Sequence, residues 1–175
     1  MDARRVLVWI MGLMAGLALV GCAATREIGA GSRPADFSLD ALVRDPAGRG
    51  EGAKRWRRPA RYLVGADGTL RVAFGPGVNE RTIPRLARTL DAGQLDELWA
   101  MVEAAELTRP DSARAIEWGD TWAPPANEPS VVLSVTANGR RVHRAAALGA
   151  SSGLGAPRIE ALLDRLGAWS WMPEE

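Results

Sequence analysis

The chain of 175 residues holds one cysteine, one histidine and one tyrosine, and its 22 Lys and Arg are matched by 21 Asp and Glu, for a formal net charge of +1. Each shortage excludes something. A single Cys cannot close a disulfide within the chain, and one Cys with one His cannot assemble a metal site of several thiolate or imidazole ligands. The charge balance argues against nucleic acid as a partner, because a polyanion is normally met by a strongly basic domain or face. What is present is an ordinary globular mixture of 47% apolar and 25% charged residues, enough for a real core. At roughly 100–200 residues per domain, the length predicts one domain.

Met1-Asp2-Ala3-Arg4-Arg5 is a short, net-positive leader to an uncharged run of 15 residues, Val6 to Val20. That run falls short of the about 20 residues that cross a bilayer, but it has the length of a signal-peptide hydrophobic region. It ends in Leu19-Val20-Gly21-Cys22, which resembles a bacterial lipobox. The resemblance implies that residues 1–21 are removed as a signal peptide and that Cys22 becomes an acylated N-terminus. Two or more acyl chains hold a protein durably at a bilayer, so the membrane would be its first partner. Ala23, where an Asp would signal retention, resembles the outer-membrane sorting pattern of double-membrane bacteria, with the protein facing the periplasm. A buried core Cys, or an ordinary secretory signal cut near Ala23-Ala24, are the alternative readings. Losing Arg4, Arg5 and Asp2 with the signal peptide leaves 20 basic and 20 acidic side chains, so electrostatic recognition would rest on local patches.

Residues 22–35 are small, polar and aperiodic and read as the lipidated Cys with a flexible tether, which leaves 36–171 for the folded domain. Phe37, Leu39 and Ala41 alternate with Asp36, Ser38 and Asp40, the period of a half-buried strand. Tyr62-Leu63-Val64 and Leu70–Phe74 flank an Asp67-Gly68 turn; Val131, Leu133 and Val135 precede Asn138-Gly139, with Val142 in the return strand. Both are hairpin signals. Residues 45–61, 75–89 and 108–129 read as loops. Asp91 and Gln94 have the spacing of a capping box, and Leu95, Leu98, Trp99 and Val102 follow on one face of a helix running to about Leu107. Pro157 opens a second helix with the stripe Ile159, Leu162, Leu163 and Leu166, up to Gly167. The expected fold is α+β: a single two-layer domain with an antiparallel sheet of about five strands, two hairpins plus one strand, and two helices packed on one face.

Signs of chemistry are thin. Gly149-Ala150-Ser151-Ser152-Gly153 has the letters of a hydrolase nucleophile elbow, but the only His precedes the Ser and no strand leads into it. The same stretch lacks the Lys of a phosphate loop, so no nucleotide is expected. His143 sits on the face opposite Val142 and reads as an exposed or hydrogen-bonded structural His, and the pairs Glu103/Glu106 and Glu117/Asp120 read as solvated charge. No catalytic, metal or cofactor-binding residue is assigned, and the chain is expected not to be an enzyme.

Two segments are candidates for interaction. Lys54-Arg55-Trp56-Arg57-Arg58 is the densest basic run; the simpler reading is a solvated loop, and the functional one is a patch resting on anionic lipid or acidic polymer. Trp118 and Trp122 stand four apart in a loop of Gly, Pro and Asp, either as a recognition surface or as a lid over a small core. Trp169 and Trp171 read as core-closing.

The order of elements, with a hairpin rich in Arg and His after Val131-Val132-Leu133-Ser134-Val135 and a last helix carrying Ala161-Leu162-Leu163-Asp164-Arg165-Leu166, resembles emfourin-type small protease-inhibitor domains over residues 36–168. That resemblance implies inhibition of a thermolysin-type metalloprotease, although the long loops depart from those compact domains and no inhibitory residue is carried over. The leading expectation is a lipid-anchored bacterial cell-envelope protein with a non-catalytic domain that binds a protein or cell-wall partner. Emfourin-like inhibition is the alternative, and an uncharacterised enzyme the second.

Overall fold

The computed structural model describes residues 32–45, 58–109, 115–116, 128–148 and 156–171. Its elements are β1 (Ser38–Arg44), β2 (Ala60–Val64), β3 (Thr69–Phe74), β4 (Arg85–Thr89), α1 (Ala92–Ala104), β5 (Ala115–Ile116), β6 (Ser130–Ala137), β7 (Arg140–Ala147) and α2 (Ala156–Ser170). The strands form one antiparallel sheet in the order β4-β3-β2-β1-β6-β7-β5. This is the α+β domain expected, with two more strands.

The central strand β1 explains the architecture. Leu39, Ala41 and Val43 point to one face and are buried, as are Tyr62 and Val64 of β2, Leu70 of β3 and Val131, Leu133 and Val135 of β6. That face is covered by the two helices. Asp91 caps α1 by accepting the Gln94 amide, and the Gln94 side chain accepts the Asp91 amide in return, so the capping box is complete. Leu95, Leu98, Trp99 and Val102 form the buried stripe, and Trp99 meets Phe37 edge-on at 5.2 Å between ring centroids. Ile159, Leu162, Leu163, Leu166 and Trp169 do the same for α2, which also reaches β3 and β4.

Both hairpin turns follow from their residues. Asn138 and Gly139 have φ of 53° and 71°, the paired positive values of a type I′ turn. The Asp36 carboxylate accepts both of their amides, at 2.8 and 2.6 Å. Gly68 has φ of 81° and its carbonyl accepts the Leu90 amide, so the first hairpin is pinned to the chain entering α1.

α1 ends in a Schellman motif: the Leu107 amide bonds to Val102 and the Glu106 amide to Glu103. Glu106 occupies the left-handed position, φ 57°, where glycine is usual. Two arginines fasten this end of the helix. Arg158 donates to the Ala104 carbonyl, and Arg144, only 2% exposed, donates to the carbonyls of His143 and Arg109. Burial lowers the pKa of Arg144, and its Nε has no partner.

Several expectations need correction. Residues 75–89 are not all loop, because 85–89 form β4 along the sheet edge. Leu70 pairs with Arg88 and Arg71 with Leu86, so Ala87 is an extra, bulged residue, and the bulge erases the period of two that marks a strand. Ala60 and Arg61 belong to β2, and residues 115–116, inside the expected loop 108–129, pair with β7. α2 runs three residues beyond Gly167, to Ser170. Trp169 closes the core as expected, but Trp171 is 67% exposed.

Candidate functional site

The face away from the helices carries a polar row. Asp40 of β1 pairs with Ser134 of β6, and Ser134 with His143 of β7. The Ser134 hydroxyl and His143 Nδ1 are 2.7 Å apart. His143 has a pKa below the ordinary imidazole value, first because of burial and then because of the Arg141 and Arg144 charges, with Asp40 opposing. The serine stands between acid and imidazole, whereas an activating relay needs the imidazole between acid and hydroxyl. Asp40 is moreover clamped by Arg61, whose Nε and Nη2 reach its two oxygens at 3.1 and 2.7 Å. This pairing raises the Arg61 pKa. The row is thus a set of structural hydrogen bonds.

Arg61 also reaches outward. Its Nη1 donates to the carbonyls of Glu80 and Thr82, and the Glu80 carboxylate pairs with Arg44. The loop joining β3 to β4 is therefore tied to the sheet. Within it the Thr82 amide bonds to the Asn79 carbonyl, the Thr82 hydroxyl accepts the Asn79 amide, and the Asn79 side chain accepts the Arg81 amide. On this braced loop Ile83 is 87% exposed. Leu86 of β4 is 57% exposed and Phe74, at the end of β3, 53%. Together they are three of the four large exposed hydrophobic side chains among the described residues. Isolated apolar side chains on a surface are ordinary, and Phe74, against Tyr62 on the helix side, and Leu86, opposite Arg71 on the other face, are of that kind; Ile83 differs in being held out on a preformed loop.

Its position is set by register. Residues 32–37 lead into β1 at the end of the sheet that holds the two hairpin turns, since Leu39 pairs with Val64 and Ser38 with Thr136. Phe74 pairs with Ala60, which pairs with Val43 at the opposite end. The seven residues of β1 separate the two ends by roughly 20 Å.

Of the residues singled out from the sequence, Cys22, Arg55, Trp56, Arg57, Trp118 and Trp122 lie outside the described residues. Arg58 is described and exposed, two residues before β2. The β3–β4 surface was missed because its segment reads as loop. The signal that could have found it is the pairing need of Leu70–Phe74 on its outer side, together with two large apolar residues, Ile83 and Leu86, in an otherwise basic stretch.

Among the described residues no group of three or more His, Cys, Asp or Glu is arranged to hold a metal ion, and no helix is long and apolar enough to cross a membrane. No protein-family model matches the chain, and no curated protein matches it.

Proposed function

We propose that this chain is a lipid-anchored protein of the bacterial cell envelope whose α+β domain binds a partner protein and catalyses no reaction. Ile83 carries the binding half of this reading: a large apolar side chain, 87% exposed, held out on a loop that hydrogen bonds of Arg61, Asn79 and Thr82 brace in advance. Such a residue gains contact area at little ordering cost. The lipobox-like Leu19-Val20-Gly21-Cys22 carries the anchoring half. Cys22 lies eleven residues before Arg33, whose Nε bonds to Asp96 at 2.9 Å, so the free tether spans at most roughly 40 Å. The domain would sit near the membrane, outer and facing the periplasm in a double-membrane organism.

Two measurements test the halves separately. Intact mass of the chain from bacterial membranes should show an acylated product beginning at Cys22, lost in Cys22→Ala; an unmodified, soluble chain refutes the anchor. A photo-reactive amino acid at position 83 should trap one discrete protein that the same probe at exposed Ala100 does not, and equal trapping at both positions refutes the binding surface.

The same loop favours the inhibitor reading as an alternative, because an inhibitor presents one rigid, exposed segment to a protease cleft. Undiminished turnover of a thermolysin-type protease in the presence of the full chain would remove it.

A further inference from the structure

Among the described residues β4 has a strand on one side only, which leaves its outer edge open to pair with another chain. The bulge at Ala87 decides what that edge presents. Arg85 pairs with Val72 and Arg88 with Leu70, which places the two arginines, three apart in sequence, two ladder steps apart on one face, roughly 7 Å. Leu86 pairs with Arg71 and lies between them on the other face, exposed, close in sequence to Ile83. Among the described residues the side chains of Arg81, Arg85 and Arg88 make no ion pair.

We propose that the β4 edge takes up an extended acidic segment of a partner protein as an added strand, with carboxylates at alternate positions facing Arg85 and Arg88 and an apolar side chain between them facing Leu86. Main-chain bonds supply the docking and the alternating side chains the selection. The proposal rests on the binding reading above and names the chemistry of its partner. A second copy of this chain fits badly, because edge-to-edge pairing sets Arg85 and Arg88 against the same arginines, and like charges opposite one another destabilise a ladder. An anionic membrane offers charge but no strand to satisfy the edge.

The test uses the full chain in neutral detergent and a labelled decapeptide of alternating Glu and Val. Controls are the same peptide with Lys for Glu and its fully N-methylated form. The Glu–Val peptide should bind, shift the amide resonances of residues 83–89, and lose affinity as salt rises. Neither control should bind. R85E/R88E, both at exposed positions, should keep the wild-type Tm, weaken the Glu–Val peptide about tenfold and gain affinity for the Lys peptide.

No binding of the Glu–Val peptide, equal binding of either control, or shifts elsewhere on the sheet overturns the proposal. So does engagement of residues 83–89 by phosphatidylglycerol vesicles in its place, or by a self-associated dimer. If the probe at position 83 traps a partner while the peptide fails to bind, the acidic strand falls and the binding reading stands; if the peptide binds without a partner being trapped, the reverse holds.

Discussion

Arg61 makes two kinds of bond at once, and a double-mutant cycle with Asp40 separates them. The side chains are 17% and 20% exposed, and the pair is bidentate. Exposed pairs contribute about 0.2–1 kcal/mol, whereas removing one partner of a fully buried pair costs about 3–5. At this intermediate burial Arg61→Ala should cost about 2 kcal/mol, including the lost bonds to the Glu80 and Thr82 carbonyls. Asp40→Ala should cost about 1 kcal/mol, because the guanidinium keeps those carbonyls as partners. The double variant should then be less destabilised than the sum of the two, with a coupling near 1 kcal/mol, measured by urea unfolding of all four proteins. Hydrogen exchange adds the readout that bears on function. Arg61→Ala should speed exchange of the Val78 and Thr82 amides well beyond the effect of Asp40→Ala, since of the two side chains Arg61 is the one bonded to the loop. If the two substitutions add within about 0.3 kcal/mol, or if both loosen the loop alike, Arg61 does not link the sheet to the loop that presents Ile83.

Glu106→Gly should stabilise the protein by about 0.5 kcal/mol, because relief of the left-handed penalty at φ 57° outweighs the backbone entropy of Gly and the loss of the exposed pair with Arg109; thermal melting in which Gly is no better than Ala would refute this. Gly68→Ala should cost about 2–3 kcal/mol, since a Cβ would lie 2.9 Å from the Leu90 carbonyl oxygen at a φ of 81°; a melt close to wild type counts against that contact. Asp36 has its pKa lowered first by the Gly139 amide, and Asp67 first by the Thr69 amide. A carboxylate with a depressed native pKa stabilises above its unfolded value of about 4 and loses that contribution as pH falls through the native one. Asp36→Ala should therefore be less stable than wild type at pH 7, and the gap should close as pH falls below the unfolded carboxylate value; a gap that persists in acid refutes the role of the carboxylate.

What could be read from the chain follows from where local and tertiary demands agree. The capping box at Asp91 and Gln94 and the stripe through Val102 were legible because the same residues that start the helix also bury its face. Asn138-Gly139 was legible because only residues tolerant of positive φ make that turn. β4 was not, because an edge strand buries little and the bulge at Ala87 throws its side chains out of alternation. Its existence is imposed by β3, which would otherwise leave its outer edge unpaired. The left-handed Glu106 was equally invisible, since Schellman ends announce themselves by glycine. The candidate surface lies on the first of these, a segment that is exposed and not buried.

The near-zero net charge hides a segregation that the fold makes meaningful. Residues 91–106 carry Asp91, Asp96, Glu97, Glu103 and Glu106 and no basic side chain, while residues 69–90 carry Arg71, Arg81, Arg85 and Arg88 against Glu80 alone. The two sets are not left in equal states. Asp96, Glu97 and Glu106 are met by Arg33, Arg165 and Arg109, and Glu80 by Arg44. Among the described residues, the acids of residues 91–106 are thus largely answered within the domain, and the arginines at the β4 edge are not. Ion pairs at this exposure add little stability, so answering one set and sparing the other does little for folding. Its consequence is a local positive field at a free strand edge, on a chain whose overall charge would attract nothing. Such a field would raise the encounter rate of an acidic segment and repel a second copy, the discrimination that the proposed strand addition requires.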